Sequence, residues 1–123
     1  IRQRLSGQLS MLLANEVCCV TSASMERREG DAYRFNDPLL ETLLANPALP
    51  EGEVILAMLF LSPGRHAGEG GDIATINAAA MQARPTLKVT TTSLVGEHPG
   101  IVDILQSRLA AVMLGQCLLD CHP

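Results

Sequence analysis

The chain has 123 residues, 47% hydrophobic and 18% charged, which is enough for one domain with a buried core and too apolar for a disordered segment. Nine basic against thirteen acidic side chains leave a net charge of −4, which argues against a nucleic-acid partner. The longest uninterrupted apolar run, Val54 to Leu61, spans eight residues, where a membrane-spanning helix needs about 20.

Leu5, Leu9, Leu12 and Leu13 recur at helical spacing, with Arg2, Arg4, Gln8 and Asn15 left for the solvent side, so the first element is predicted to be an amphipathic helix. Val17 to Ala23 is small, β-branched or thiol-bearing and predicts a buried strand, with Cys18 and Cys19 as small core residues. Adjacent thiols of this kind fit a reducing compartment, the cytoplasm or an organelle stroma or matrix. Asp37 before Pro38 has the chemistry of a helix start, and Leu39, Leu40, Leu43 and Leu44 supply that helix with an apolar stripe. Val54 to Leu61 has no alternation and predicts a central strand. Asp72 is expected to cap a helix carrying Ile73, Ile76, Ala80 and Ala83, which Arg84-Pro85 stops. Leu87 to Val95 is rich in Val and Thr and predicts a third strand. His98-Pro99 then opens a helix with Ile101, Ile104, Leu105, Leu109 and Val112 facing inward.

This alternation predicts an α/β domain over residues 1–115, a parallel sheet with helices on both faces, followed by a tail at 116–123. A strand-to-helix crossover chain should begin with a strand, whereas this one begins with a helix at Ile1, so a first strand is expected to be missing. The sheet edge left open would favour a homo-oligomer or a place as a subunit of a larger complex.

Ligands of open α/β sheets bind beyond the carboxyl ends of the strands, which directs attention to the segments after Ala23, Leu61 and Val95. Those segments hold Glu26-Arg27-Arg28, Gly64-Arg65-His66 and Glu97-His98. A carboxylate and imidazoles on adjacent loops have the donor chemistry of a site for a first-row divalent ion. His98, next to Pro99, fits a helix start better than a ligand. The glycine-rich stretch Gly64 to Asp72 joins a strand to a helix, yet it lacks the Lys-Ser or Lys-Thr of a phosphate loop and the spacing of a dinucleotide fingerprint, so no nucleotide cofactor is expected. Its glycines are expected to open backbone conformations closed to other residues and to let the loop pack near a ligand. Cys117, Cys121 and His122 form an incomplete soft-metal set, two thiols and one imidazole where a closed site takes four ligands.

The run Leu59 to Ile73, with Pro63-Gly64-Arg65-His66 and then Asp72-Ile73, resembles the metal-site loop of the sirohydrochlorin chelatases of the CbiX/SirB type. Ala23-Ser24-Met25-Glu26 is similar to the family's segment ending in a ligand Glu, and Gly96-Glu97-His98-Pro99 to its Gly-Pro-His-Pro turn. The resemblance covers roughly residues 5–113. It implies a class II chelatase fold, a small Rossmann-like parallel sheet, and insertion of cobalt, iron or nickel, as the substrate metal, into a tetrapyrrole. It also implies His66 as a metal ligand and Glu26 as the carboxylate beside it, the two serving as metal ligands and proton acceptors. Arg65, Arg27 and Arg28 lie next to these residues in sequence and have the chemistry for charge-assisted hydrogen bonds to the carboxylates of the macrocycle, with Gly64 expected to let the loop approach that substrate. The family's further ligand His, in a His-Gly-Ser turn after its first strand, has no counterpart in this sequence. That departure leaves an alternative, a non-catalytic subunit of the same fold serving as a structural or binding element.

Overall fold

The computed structural model describes residues 1–25 and 29–115. Its elements in chain order are helix α1 (Arg2–Leu12), a 3-10 turn (Asp31–Asn36), helix α2 (Leu40–Ala45), strand β1 (Glu53–Leu56), helix α3 (Asp72–Ala83), strand β2 (Lys88–Thr91), a second 3-10 turn (Val95–Glu97) and helix α4 (Gly100–Met113). Strands β1 and β2 pair in parallel, Val54 opposite Val89 and Leu56 opposite Thr91. Helix α3 is the crossover that parallel pairing demands. The fold is therefore α/β around a small two-stranded parallel sheet. Among the described residues no helix is long and apolar enough to cross a membrane.

Helical periodicity places Leu40 and Leu44 on one side of α2, and Ile73 and Asn77 on one side of α3. These stripes meet Met58, Leu87 and Leu94 in a core whose apolar members are all 8% exposed or less, with Val54, Leu56 and Val89 of the sheet packed against it. Burying a side chain of this size stabilises by about 1.5–3 kcal/mol. The carboxyl ends of α2 and α3 are tied together by Arg84. Its guanidinium donates to the carbonyls of Leu44 (3.1 Å), Asn46 (3.2 Å) and Leu49 (2.8 Å), and so satisfies acceptors that a helix end leaves open.

Several sequence expectations are corrected by this architecture. Residues 17–23 form neither strand nor helix, and Cys18 and Cys19 are exposed rather than in the core. Ser24 makes an isolated parallel bridge to Leu39, taking the carbonyl of Pro38 and giving its own to the amide of Leu40. Because α2 begins at Leu40, the partner coils into a helix and the ladder cannot propagate. Asp37 closes the first 3-10 turn instead of capping α2, whose N-cap is Leu39.

The other two strands are real but shorter than the apolar runs that announced them. Beyond Leu56 the ladder is intercepted by a side chain: the Thr92 hydroxyl accepts from the Met58 amide at 3.1 Å and donates to the Ser93 carbonyl at 2.9 Å. The two segments still run side by side, with the Thr92 amide on the Leu56 carbonyl and the Gly96 amide on the Phe60 carbonyl.

The expectation of helices covering both sheet faces also changes. Val54 and Leu56 face the core, while Ile55 between them points the other way and is 63% exposed. The inward stripe foreseen for the last helix is open: Ile104, Leu105, Leu109 and Val112 are each more than half exposed, and α4 has no buried residue. Helix α1 likewise buries none. Its Arg2, foreseen in solvent, instead donates to Ser24 and to the carbonyls of Phe35, Asn36 and Asp37.

Candidate metal centre

His66 lies on the loop that carries the chain from β1 to α3. That loop folds on itself: the Gly68 amide donates to the Gly64 carbonyl at 2.7 Å, and the Gly71 amide to the Gly68 carbonyl at 3.0 Å. Its glycines serve two ends. Gly70 has φ of +67°, a left-handed conformation costly for other residues. At Gly71 the requirement is space, since a Cβ there would stand 2.7 Å from the Arg65 carbonyl oxygen and 2.8 Å from that of His66. The close approach foreseen for a ligand is thus made, at Gly71, by the loop's own carbonyls.

Those carbonyls have a use. The Arg65 and His66 oxygens accept from the amides of Asp72 (3.2 Å) and Ile73 (3.1 Å), the first amides of α3. The helix start is capped by backbone, so these amides are not free for a phosphate. Asp72, expected as the capping side chain, makes no cap hydrogen bond. Its carboxylate turns to the loop instead: the His66 Nδ1–H donates to Asp72 Oδ2 at 2.7 Å, and Arg65 Nε stands 3.8 Å from the same oxygen. The His66 side chain is 35% exposed and Asp72 44%, so the pair sits at the surface rim, with His66 outside the core. Sequence reasoning missed this pairing. Its signal was the six-residue separation of a His and an Asp across a glycine-rich turn onto a helix.

The neighbouring turn is brought close by Gly96. A Cβ at that position would lie 1.6 Å from the Leu61 carbonyl oxygen, so only glycine lets the segment after β2 press against the one after β1. In this turn Glu97 is engaged locally, accepting from the Leu94 amide at 3.2 Å. His98 takes the helix-start role foreseen for it, its Nδ1 accepting from the Gly100 amide at 3.1 Å.

Of the site residues expected from sequence, His66, Arg65 and Gly64 are described, whereas Glu26, Arg27 and Arg28 lie outside the described residues, as do Cys117, Cys121 and His122. Arg65 is highly exposed, with 86% of its side chain open to solvent. Among the described residues no group of three or more His, Cys, Asp and Glu side chains is arranged to hold a metal ion. The described part of the centre thus offers one imidazole nitrogen, Nε2, beside an Asp-bound Nδ1.

Compared with known protein families, the chain matches the CbiX family model over residues 20–112, which is 93 of its 123 residues, and it belongs to that family. Neither the curated proteins nor the solved structures yielded a match.

Proposed function

We propose that this CbiX-family chain inserts a divalent metal into sirohydrochlorin or a closely similar tetrapyrrole. The family supports a chelatase-type function in tetrapyrrole metal insertion; the macrocycle, the metal and the residues are our reading. The observation that carries it is the position of His66, partly exposed on the loop after β1 within the Pro63-Gly64-Arg65-His66 sequence that the family match includes. In an open α/β sheet this is the end at which ligands bind.

Insertion asks the ion to shed water and two pyrrole nitrogens to lose protons. A neutral imidazole nitrogen serves both ends, as a ligand to cobalt, iron or nickel and as a proton acceptor near neutral pH. His66 takes these roles through Nε2, with Glu26 as the carboxylate partner. Arg65, Arg27 and Arg28 offer charge-assisted hydrogen bonds to the carboxylates of the macrocycle, and Gly64 allows close approach of the backbone. Nitrogen and oxygen donors rank these metals by the general affinity order rather than by selection.

The uncovered apolar faces favour a second reading for part of the molecule's behaviour. Ile55 on the sheet and Ile104, Leu105 and Leu109 on α4 suit burial against another polypeptide, a second copy or a larger complex. A non-catalytic subunit would share those faces and lack turnover. Mixing the protein with sirohydrochlorin and cobalt or ferrous ion separates the two. Metal-dependent change in the tetrapyrrole absorption, lost in His66→Ala, is the expected result; an unchanged spectrum with every metal overturns the chelatase reading.

A further inference from the structure

We propose that Asp72 is a positioning residue for His66: it fixes the ring and its tautomer so that Nε2 faces outward as an unprotonated acceptor for the incoming ion. The inference rests on the reading of His66 as the metal-binding imidazole.

Three features of the loop direct the Asp72 carboxylate to this task. The first amides of α3 are already taken by the Arg65 and His66 carbonyls, so the carboxylate is released from capping. The folded loop, tightened at Gly71 where a Cβ would collide with the carbonyls of Arg65, His66 and Gly68, holds His66 above the helix start. A carboxylate in the first helical turn is also favoured by the positive end of the helix dipole. The outcome is a 2.7 Å hydrogen bond in which Asp72 Oδ2 accepts and His66 Nδ1 must donate. The other donor near that oxygen, Arg65 Nε at 3.8 Å, is largely in solvent and too distant to compete with His66 for this acceptor.

A ring that donates from Nδ1 carries its proton there when neutral, which leaves the Nε2 lone pair free. Histidine in water favours the opposite tautomer. The carboxylate thus places the ring in the form a metal needs, and loss of such a partner costs about 10–100-fold in metal affinity. Once an ion engages Nε2, the carboxylate also balances the charge drawn from the ring.

A carboxylate that merely fastened the loop to α3 would also make this bond, so the test reads the imidazole itself. In metal-free protein at a pH above the histidine range, nitrogen-15 correlation spectra of His66 should show the proton on Nδ1. Asp72→Ala should move it largely to Nε2, and Co²⁺ binding, followed by the visible absorption of the bound ion, should weaken about 10–100-fold. Asp72→Asn, whose amide oxygen still accepts, should keep the wild-type tautomer and lose less affinity. Circular dichroism of each variant confirms that the fold is intact, and Asp72→Asn serves if Asp72→Ala does not fold. A wild-type His66 protonated on Nε2, or an Asp72→Ala protein with unchanged tautomer or unchanged Co²⁺ affinity, overturns the proposal. A His66→Ala protein that binds Co²⁺ like the wild type refutes the functional reading instead, and the tautomer result then decides the role of Asp72 by itself.

Discussion

Leu44 of α2 and Leu109 of α4 are the same side chain on the same kind of element, each placed by helical periodicity on an apolar stripe. Leu44 is 2% exposed and Leu109 is 61% exposed. The difference lies in what each helix has to lean on. Helices α2 and α3 share the inner face of the sheet with Val54, Leu56 and Val89, and Met58, Leu87 and Leu94 fill the space between. Helix α4 touches the second 3-10 turn at its own start, and no described residue covers its stripe. Amphipathic spacing is enough to wind a helix, but burial needs a second surface of matching extent, and two four-residue strands offer one such face.

The sharpest way to break the packed region is at its tightest point. Gly96→Ala sets a methyl group 1.6 Å from the Leu61 carbonyl oxygen, a backbone collision that no rotamer relieves. We expect a loss of more than about 4 kcal/mol, or no folded protein, by thermal or urea unfolding. The comparison itself is tested by a pair of truncations. Leu44→Ala should cost about 3 kcal/mol because it leaves a cavity in the core. Leu109→Ala should change stability by less than about 0.5 kcal/mol in the isolated chain. A larger loss at Leu109 in monomeric protein would mean that α4 is covered after all. If instead the loss appears only at concentrations where the protein associates, the stripe is an interface.

A smaller effect is expected at the joint between α2 and α3. Arg84→Ala removes donors from three carbonyls, those of Leu44, Asn46 and Leu49. Part of this rim is wet, so the expected loss is about 1–2 kcal/mol, and hydrogen exchange should rise first at the end of α2. The smallest effect belongs to the loose region. The Cys19 thiol is pushed up from the ordinary value of 9.0 by desolvation, then by the charge of Cys18 and a hydrogen bond with it. At a fixed pH below that value a raised thiol holds less thiolate and reacts more slowly. Cys18→Ser removes the charge, which should bring the Cys19 thiol down and speed its alkylation at pH 8, an increase read by mass spectrometry of the labelled peptide.

Local chemistry along the chain was enough for the order of most elements and for the place of the His66 loop between the first strand and the helix that follows it. The apolar run from Val54, the Val and Thr run from Leu87 and the Ala-rich helix between them each carry a local signal, and a strand, a helix and a strand in succession leave a parallel pair as the simplest arrangement. Pro63-Gly64-Arg65-His66 by itself places an imidazole after the first of these strands, and His98 was legible as a helix start because Pro99 follows it. What tertiary structure decided was every choice that depends on a partner distant in the chain. Residues 17–23 have strand propensity, but their continuation at Ser24 met a segment that turns into a helix, and propensity alone supplies no hydrogen bonds. Asp72 could cap its own helix or reach back to His66; the loop carbonyls settled the question by occupying the amides first. Whether an apolar stripe is core or surface was likewise beyond periodicity, since the same spacing buried Leu44 and left Leu109 in solvent. Local sequence sets what a segment can form, and the competition for hydrogen-bond partners and for apolar area, which only the assembled chain holds, decides which of those forms persists.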